Sequence, residues 1–472
     1  MLVRRSLSSL FVAISVASLL PVLGAPALAD EPAPTIRGAS AAEKLPDRRR
    51  GYTLQQCVSM AVRNYPKVAE ARAKANYYRA QLDEARSAPF SQWTASGGVA
   101  LAPTSRGTSV YSPDTDVALK SNMGLAWRAS VSGAIPLFTF GKITNLIDAA
   151  EHQVELGEHG IEKERNQVRL DVRKAYFGLQ LARSSVDLLK EASGKLDSAI
   201  GKLSKAVENG EADEFDLFKL QTYRAEIDAR MAEAQRYESV AFVSLAFLTG
   251  VKTGFEVQSD VLKPSNHTLG PVAHYLQAAR IHRPEINMAR AGIRAREAQV
   301  SLARAKMYPD LGLGMSAGWT RAPEIADQLN PYVKDNANFV SLGFGLVMQW
   351  NLDFLPASAR LDQARAQLEE TRAIERYALG GVGVEVETAY AEVVSATKRE
   401  EAYGRAESLA KKWLIGVQQG IDLGTEEEKA LTDPAKEYAQ QRFNHLNAIM
   451  DLNVAMSKLA LVTGWDAIAP QG

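Results

Sequence analysis

The segment of residues 122–154 constrains the fold of this chain more than any other. In its first part, every second position from Met123 to Ile135 is mostly apolar, and small or polar residues and Arg128 lie between them. This alternation predicts a β-strand with one apolar and one polar face. Pro136 and Gly141 interrupt the alternation, and a helical pattern follows directly. A long two-faced strand that leads into a long helix indicates a junction where a membrane ends and an aqueous compartment begins.

The helix that follows is predicted over residues 142–207 and carries a heptad pattern. Its apolar seam advances by four and three residues in alternation, which is typical of coiled-coil packing. Asn209 and Gly210 end the pattern, residues 211–213 cap a return helix that reaches residue 248, and the pair is predicted to form an antiparallel hairpin. The seam consists of Val168, Val172, Ala175, Leu179, Ala182, Val186, Leu189, Ser193, Leu196, Ile200, Leu203 and Val207.

The chain repeats itself. The pair Ala175-Tyr176 is matched by Ala389-Tyr390, Gly210 by Gly424, and LAFLTG at 245–250 by LALVTG at 459–464, all at one offset. Each half therefore reads as helix, strand, loop, strand and long helical hairpin. We assign a first repeat to residues 53–250, a linker to 251–271, a second repeat to 272–464 and a short tail to 465–472.

The N-terminus predicts export. Residues 1–29 have a basic start, an apolar stretch at 10–23 and an Ala-Leu-Ala cleavage motif at 27–29, as in a secretory signal peptide. Residues 30–52 read as a flexible leader. Beyond the signal peptide, no apolar run approaches the roughly 18 residues of a transmembrane helix.

Four strands are predicted in all, at residues 91–101, 122–135, 310–319 and 340–352. Tryptophans near their ends suit a membrane barrel, although a soluble sandwich with one wet face is an alternative. Four strands cannot close a transmembrane barrel alone, so the chain is expected to oligomerise, and three copies would supply twelve strands. The tryptophans, predicted to face lipid, are Trp93, Trp127, Trp319 and Trp350.

The long helix would reach roughly 100 Å at 1.5 Å per residue, whereas a bilayer core is only about 30 Å thick. It must therefore project into an aqueous space, which behind an outer membrane is the periplasm. The predicted fold is an α+β membrane protein, a trimeric twelve-stranded β-barrel continued by a periplasmic α-helical barrel.

Other functions find little support in the sequence. The 55 basic and 55 acidic residues cancel, so nucleic-acid binding is not expected. The single cysteine, Cys57, cannot form an internal disulfide. The six histidines lack metal-ligand spacing, and no phosphate loop or nucleophile motif is present. We therefore expect no enzyme, cofactor or metal site.

With these features in view, the chain resembles the TolC-like outer membrane efflux protein family over residues 51–465. The resemblance rests on the tandem halves, Tyr65-Pro66, the IPLF corner at 135–138, the turns at Gly210 and Gly424, and the Thr-Gly endings. The resemblance implies a homotrimer in the outer membrane with its helical part in the periplasm. It implies the exit duct of a tripartite efflux or type I secretion system, joined by a periplasmic adaptor protein to an inner-membrane pump.

The second half departs from the family pattern. Its corner at residues 350–353 lacks proline, and its hairpin turn differs from the usual one. Glu400 and Glu407 occupy the positions of Val186 and Ser193, so we expect this seam to face the lumen or a different neighbour.

The resemblance places the periplasmic tip at the two hairpin turns, where the adaptor would dock. The acidic residues of the second turn would form an entrance ring that favours cations, or would simply act as acids at a helix N-terminus. The polar strand face would line the lumen. An exported coiled-coil structural protein without a pore is the alternative function. The tip residues are Gly210, Glu211, Asp213, Gly424 and Thr425, the entrance ring Glu426, Glu427 and Glu428, and the lumen-facing residues Arg128, Ser130 and Ser132.

Overall fold

The structure is a computed structural model that describes residues 51–90, 93–106, 118–251, 255–258, 261–325, 327, 332–426 and 428–470. The predicted signal peptide, residues 30–50 of the leader, and Glu427 lie outside the described residues. The first half contains α1 (Leu54–Asn64), α2 (Pro66–Ser87), β1 (Trp93–Arg106), β2 (Ala118–Phe138), α3 (Lys142–Glu208) and α4 (Glu214–Thr249). The second half contains α5 (Val272–His282), α6 (Pro284–Ala305), β3 (Asp310–Arg321), β4 (Phe339–Gln349), α7 (Phe354–Asp422) and α8 (Thr432–Thr463).

The short helices begin where local chemistry requires. Thr53 caps α1 through a capping box, because its hydroxyl accepts from the Gln56 backbone N–H at 3.3 Å while the Gln56 side chain accepts from the Thr53 backbone N–H at 3.0 Å. Pro66 and Pro284 each open the next helix, since proline lacks the N–H that a helix interior needs. The break between α1 and α2 therefore recurs between α5 and α6.

The four strands form one antiparallel sheet in the order β1-β2-β3-β4. The β2–β3 pair joins the two halves of the chain. β2 extends past Pro136 to Phe138, beyond the predicted end, because a register shift between these two residues accommodates the proline. Gly312 lies opposite Pro136, and a Cβ on it would be 3.0 Å from the Ile135 carbonyl oxygen.

The corner between β2 and α3 is held by the other half of the chain. Phe140 and Gly141 both adopt positive φ, at 51° and 85°. The Lys142 ammonium then contacts an Asp310 carboxylate oxygen at 2.8 Å and donates to the Tyr308 carbonyl oxygen at 2.9 Å. The second corner lacks proline, but the Trp350 indole N–H donates to the Met307 carbonyl oxygen at 3.1 Å.

The helices form two matching apolar cores. In the first, α1 packs against α3 and α4; in the second, α5 packs against α7 and α8. The linker is part of the first core, because Phe255, Val257 and Leu262 are buried there. Tyr52, assigned to the flexible leader, instead forms a β-bridge with Val257. No helix in the described part of the chain is long and apolar enough to span a membrane.

Candidate channel surfaces and hairpin tips

One face of the sheet is mainly apolar across all four strands. The register places the odd-numbered residues of β1, β2 and β3 on the same face as the even-numbered residues of β4. This face is open in the chain, and Leu342 remains 81% exposed. A soluble sandwich would bury such a face beneath a second sheet, so a large exposed apolar face indicates a membrane or partner surface. Its exposed members include Val99, Leu101, Met123, Leu125, Val131, Ile135, Met315, Val340, Leu342, Phe344, Leu346 and Met348.

The opposite face is polar and small. The hydroxyl oxygens of Ser96 and Ser130 lie 2.8 Å apart across the β1–β2 pair. Arg128 is opposite Thr320, and Ser132 is opposite Ser316. The structure therefore brings the three strand residues predicted to line a lumen onto one face, and their contact with a lumen stays a prediction.

The tryptophans occur at two levels of the sheet. Trp93, opposite Gly133, and Trp350, directly after β4, lie toward the helical end. Trp127 and Trp319 lie toward the loop end, with ring centroids 6.1 Å apart. Two aromatic levels on an apolar face are typical of barrels at the two membrane interfaces. Lipid contact of these side chains stays a prediction.

The first hairpin turn is built on Gly210. Its φ of 76° lies in the left-handed region. The Glu211 backbone N–H donates to the Ala206 carbonyl oxygen at 2.8 Å, and that of Gly210 to the Val207 carbonyl oxygen at 2.9 Å, as in a Schellman motif. Asp213 then caps α4, because its carboxylate accepts from the Phe215 N–H at 3.0 Å.

The second turn repeats this geometry. Gly424 has a φ of 73°, and the Thr425 backbone N–H and hydroxyl donate to the Gly420 carbonyl oxygen at 2.9 and 3.0 Å. A short 3₁₀ turn, Glu428–Leu431, follows before α8. Of the predicted acidic ring, only the Glu426 side chain is described, and it is exposed. The structure thus places the two predicted turns in equivalent positions.

We expect Gly210→Val to weaken export, because a β-branched residue is strained at this positive φ and would reshape the tip. The measurement is export by whole cells and retention of adaptor by pull-down. Gly201→Val is the control, since Gly201 lies inside α3 with no atom within 4 Å of a built Cβ and no positive φ. Undiminished export by the Gly210 variant would refute the role given to this turn.

The expectation for Glu400 and Glu407 is wrong. They face α8 inside their own hairpin, where His445 lies between them with ring nitrogens 3.3 and 2.6 Å from their carboxylate oxygens. Arg442 adds a 2.8 Å contact to Glu407. Gly404 makes room, since a Cβ there would be 3.2 Å from the His445 Nε2. No local sequence pattern marks this pairing, because it joins residues 38 and 45 apart on two different helices.

A charged groove lies between α3, α6 and α7 and has a volume of ≈ 530 Å³. Its charged lining consists of Glu155, Arg290, Arg294 and Glu375. Burial raises the pKa of Glu155, but hydrogen bonds from His152 and Arg294 outweigh it, so this pKa lies below its ordinary value. The charges in this groove balance one another. Among the described residues, no group of histidine, cysteine or acidic side chains could hold a metal ion.

Comparison with known proteins agrees with this geometry. The family model described as outer membrane efflux protein matches residues 57–251 and 275–465. The Campylobacter jejuni CmeC outer membrane channel superposes with a TM-score of 0.71 at 16% identity, covering 89% of this chain and 86% of that one. The open state of the Neisseria gonorrhoeae MtrE outer membrane channel superposes with a TM-score of 0.68 at 16% identity, covering 87% of this chain and 89% of that one.

A membrane protein from Pseudomonas aeruginosa has a TM-score of 0.70 at 18% identity and covers 87% of this chain and 90% of its own. No curated protein matches the chain. The predicted family resemblance is confirmed, and nothing supports the alternative of a structural protein without a pore. The chain therefore belongs to the outer membrane efflux protein family and acts as an efflux channel of the outer membrane.

Proposed function

We propose that the working channel is a homotrimer in which three copies of the sheet close into one twelve-stranded barrel. The proposal rests on the open sheet: among the described strands, β1 and β4 each pair on one side only, and the apolar face is exposed. Unpaired backbone groups cannot be hydrated in lipid, so both edges need a partner. Because the sheet has an even number of antiparallel strands, β4 of one copy meets β1 of the next in antiparallel order.

The helical part supports the same arrangement. α4 and α7 carry large apolar side chains that the single chain leaves exposed, among them Val243 and Phe247 on α4 and Tyr377 and Val384 on α7. Isolated exposed apolar residues are ordinary, but rows of them on helix edges favour contacts between copies. Three copies then continue the barrel as a tube of helices in the periplasm.

The hairpin tips would bind a periplasmic adaptor protein, which joins the channel to an inner-membrane pump. Phe215 and Leu423 stand beside the two turns and are 77% and 79% exposed. Large apolar side chains held out on a rigid turn suit insertion into a partner's groove. The acidic Glu211 and Asp213 flank them and would set the orientation of the partner.

The acidic residues of the second tip would ring the periplasmic entrance. Threefold repetition of Glu426, Glu427 and Glu428 concentrates negative charge, which attracts cations and repels anions. We expect neutralisation of all three to lower the cation-to-anion permeability ratio at least twofold in planar bilayers. The control is neutralisation of Glu211, Asp213 and Glu214 on the other tip. Unchanged reversal potentials would show that these residues form no selective ring and act only as acids at a helix N-terminus.

The trimer is tested directly. The full-length protein, expressed with its own N-terminus, is expected to fractionate with the outer membrane and to migrate in SDS without heating at three times the mass of the chain. The purified species should conduct ions in planar bilayers. A stable species of another stoichiometry, or a trimer without conductance, would contradict the proposal.

A further inference from the structure

Arg128 is an exposed cation on a sheet face that is otherwise neutral around it. Its two register partners are Gly98 and Thr320, and its nearest same-face neighbours along β2 are Ala126 and Ser130. A Cβ built on Gly98 would meet nothing within 4 Å, so no side chain screens the guanidinium from that side. In the described part of the chain, no acidic side chain forms an ion pair with Arg128.

One described countercharge on this face lies farther toward the loop end. Glu324, just beyond β3, packs over Gly124, where a built Cβ would overlap the Glu324 Cγ. Gly124 is four residues from Arg128 along β2, a separation of roughly 13 Å at strand rise. Glu324 is therefore not an adjacent partner of Arg128, and salt at physiological strength further weakens the attraction between separated exposed charges.

We propose that Arg128 is a selectivity residue: three copies form a ring of guanidinium groups in the outer part of the lumen that binds and favours anionic solutes. The inference rests on the proposed trimeric barrel. Twelve strands about 4.8 Å apart and tilted by roughly 40° enclose a backbone radius of roughly 12 Å. The side chains extend inward from that radius, so a solute on the axis lies within about one Debye length of each guanidinium.

The chemistry of the ring defines the class of solute. Guanidinium binds carboxylate, phosphate and sulfonate groups through paired N–H donors, and the surrounding glycine and serine positions leave room for a bulky solute. Solutes that carry two or more anionic groups would contact two arginines at once. The ring thus acts on anions at the opposite end of the duct from the acidic periplasmic tips.

The test is block of single channels by a polyanion. Inositol hexakisphosphate is added to wild-type trimers in planar bilayers from the side of the β1–β2 loop. We expect Arg128→Gln to raise the half-blocking concentration at least tenfold. Arg321→Gln is the matched control, because Arg321 lies opposite Trp127 on the apolar face, at the level of Arg128. We expect Arg321→Gln to change the half-blocking concentration less than twofold.

A chemical rescue separates charge from shape. The native Cys57 is fully buried, and burial raises the pKa of its thiol to about 12, so it stays silent toward thiol reagents. We expect an Arg128→Cys channel to regain block by inositol hexakisphosphate after treatment with a cationic methanethiosulfonate. Treatment with an anionic methanethiosulfonate should not restore this block.

Equal half-blocking concentrations for wild type and Arg128→Gln, equal effects of the Arg128 and Arg321 variants, or rescue by both reagents would overturn the inference. Failure of the wild-type protein to form trimeric channels would instead overturn the proposed function, so the two failures are distinguishable.

Discussion

Leu342→Arg is expected to abolish assembly of the channel in the outer membrane, whereas Ser341→Arg is expected to leave it intact. The two residues are adjacent on β4 and point to opposite faces of the sheet, with Leu342 on the apolar face opposite Ala317 and Ser341 on the polar face opposite Gly318. The cost of an arginine on the lipid face of a barrel rises from about 0–1 kcal/mol near the interfaces to about 2–4 kcal/mol at the midplane, and the trimer would carry the cost at Leu342 three times.

The measurement is the amount of heat-dissociable trimer in outer-membrane fractions, compared at equal expression. The Ser341 variant serves as the control for the size and charge of the new side chain. If both variants assemble equally, or if only the Leu342 variant does, the assignment of the apolar face to lipid is wrong. Conductance of the Ser341 variant then reports independently on whether its face lines the lumen.

Gly464→Ala is expected to be the most damaging of three glycine substitutions at positive φ. Gly464 ends α8 with a φ of 68°, and a Cβ there would lie 2.6 Å from the His282 carbonyl oxygen, where backbone has little room to shift. The left-handed conformation costs about 1–2 kcal/mol for a residue with a Cβ, and the overlap adds about 1–3 kcal/mol. The C-terminus of α8 would therefore separate from the α5–α6 junction.

Two related glycines calibrate the effect. Gly250 has a φ of 73° and would meet the Asn64 Cβ at 3.0 Å, so its alanine variant should be intermediate. Gly210, at 76°, would meet nothing within 4 Å and should show the conformational cost alone. The measurement is the temperature at which helical circular dichroism is lost, in detergent. A different order among the three variants would show that close approach of backbone does not decide the cost.

The two corners differ in how far local sequence specifies them. The first was predicted from its IPLF motif and glycine, because turn chemistry is local. Its true end, three residues farther along at Phe138, depends on a register shift against β3, which belongs to the other half of the chain. The second corner lacks the motif, and its Trp350 contact with the Met307 carbonyl oxygen joins residues 43 apart.

The candidate site divides in the same way. The turns at Gly210 and Gly424 were predictable, because helix ends that need positive φ favour glycine and both turns recur at one offset. The pairing of Glu400 and Glu407 with His445 is not predictable from local sequence, which is equally compatible with contact to the lumen or another neighbour. Which helix faces which is a property of packing between α7 and α8, and no local pattern specifies it.

The sequence by itself determined the elements of this protein: two-faced strands, paired hairpins of equal length and glycine turns at their tips. Periodicity and turn chemistry act over a few residues, so they can be read along the chain. Only the tertiary structure decided the strand register, and with it that four apolar stripes form one face while Arg128 shares the other with serines and glycines. A shift of one residue would exchange those faces, and long-range packing alone selects between the two registers.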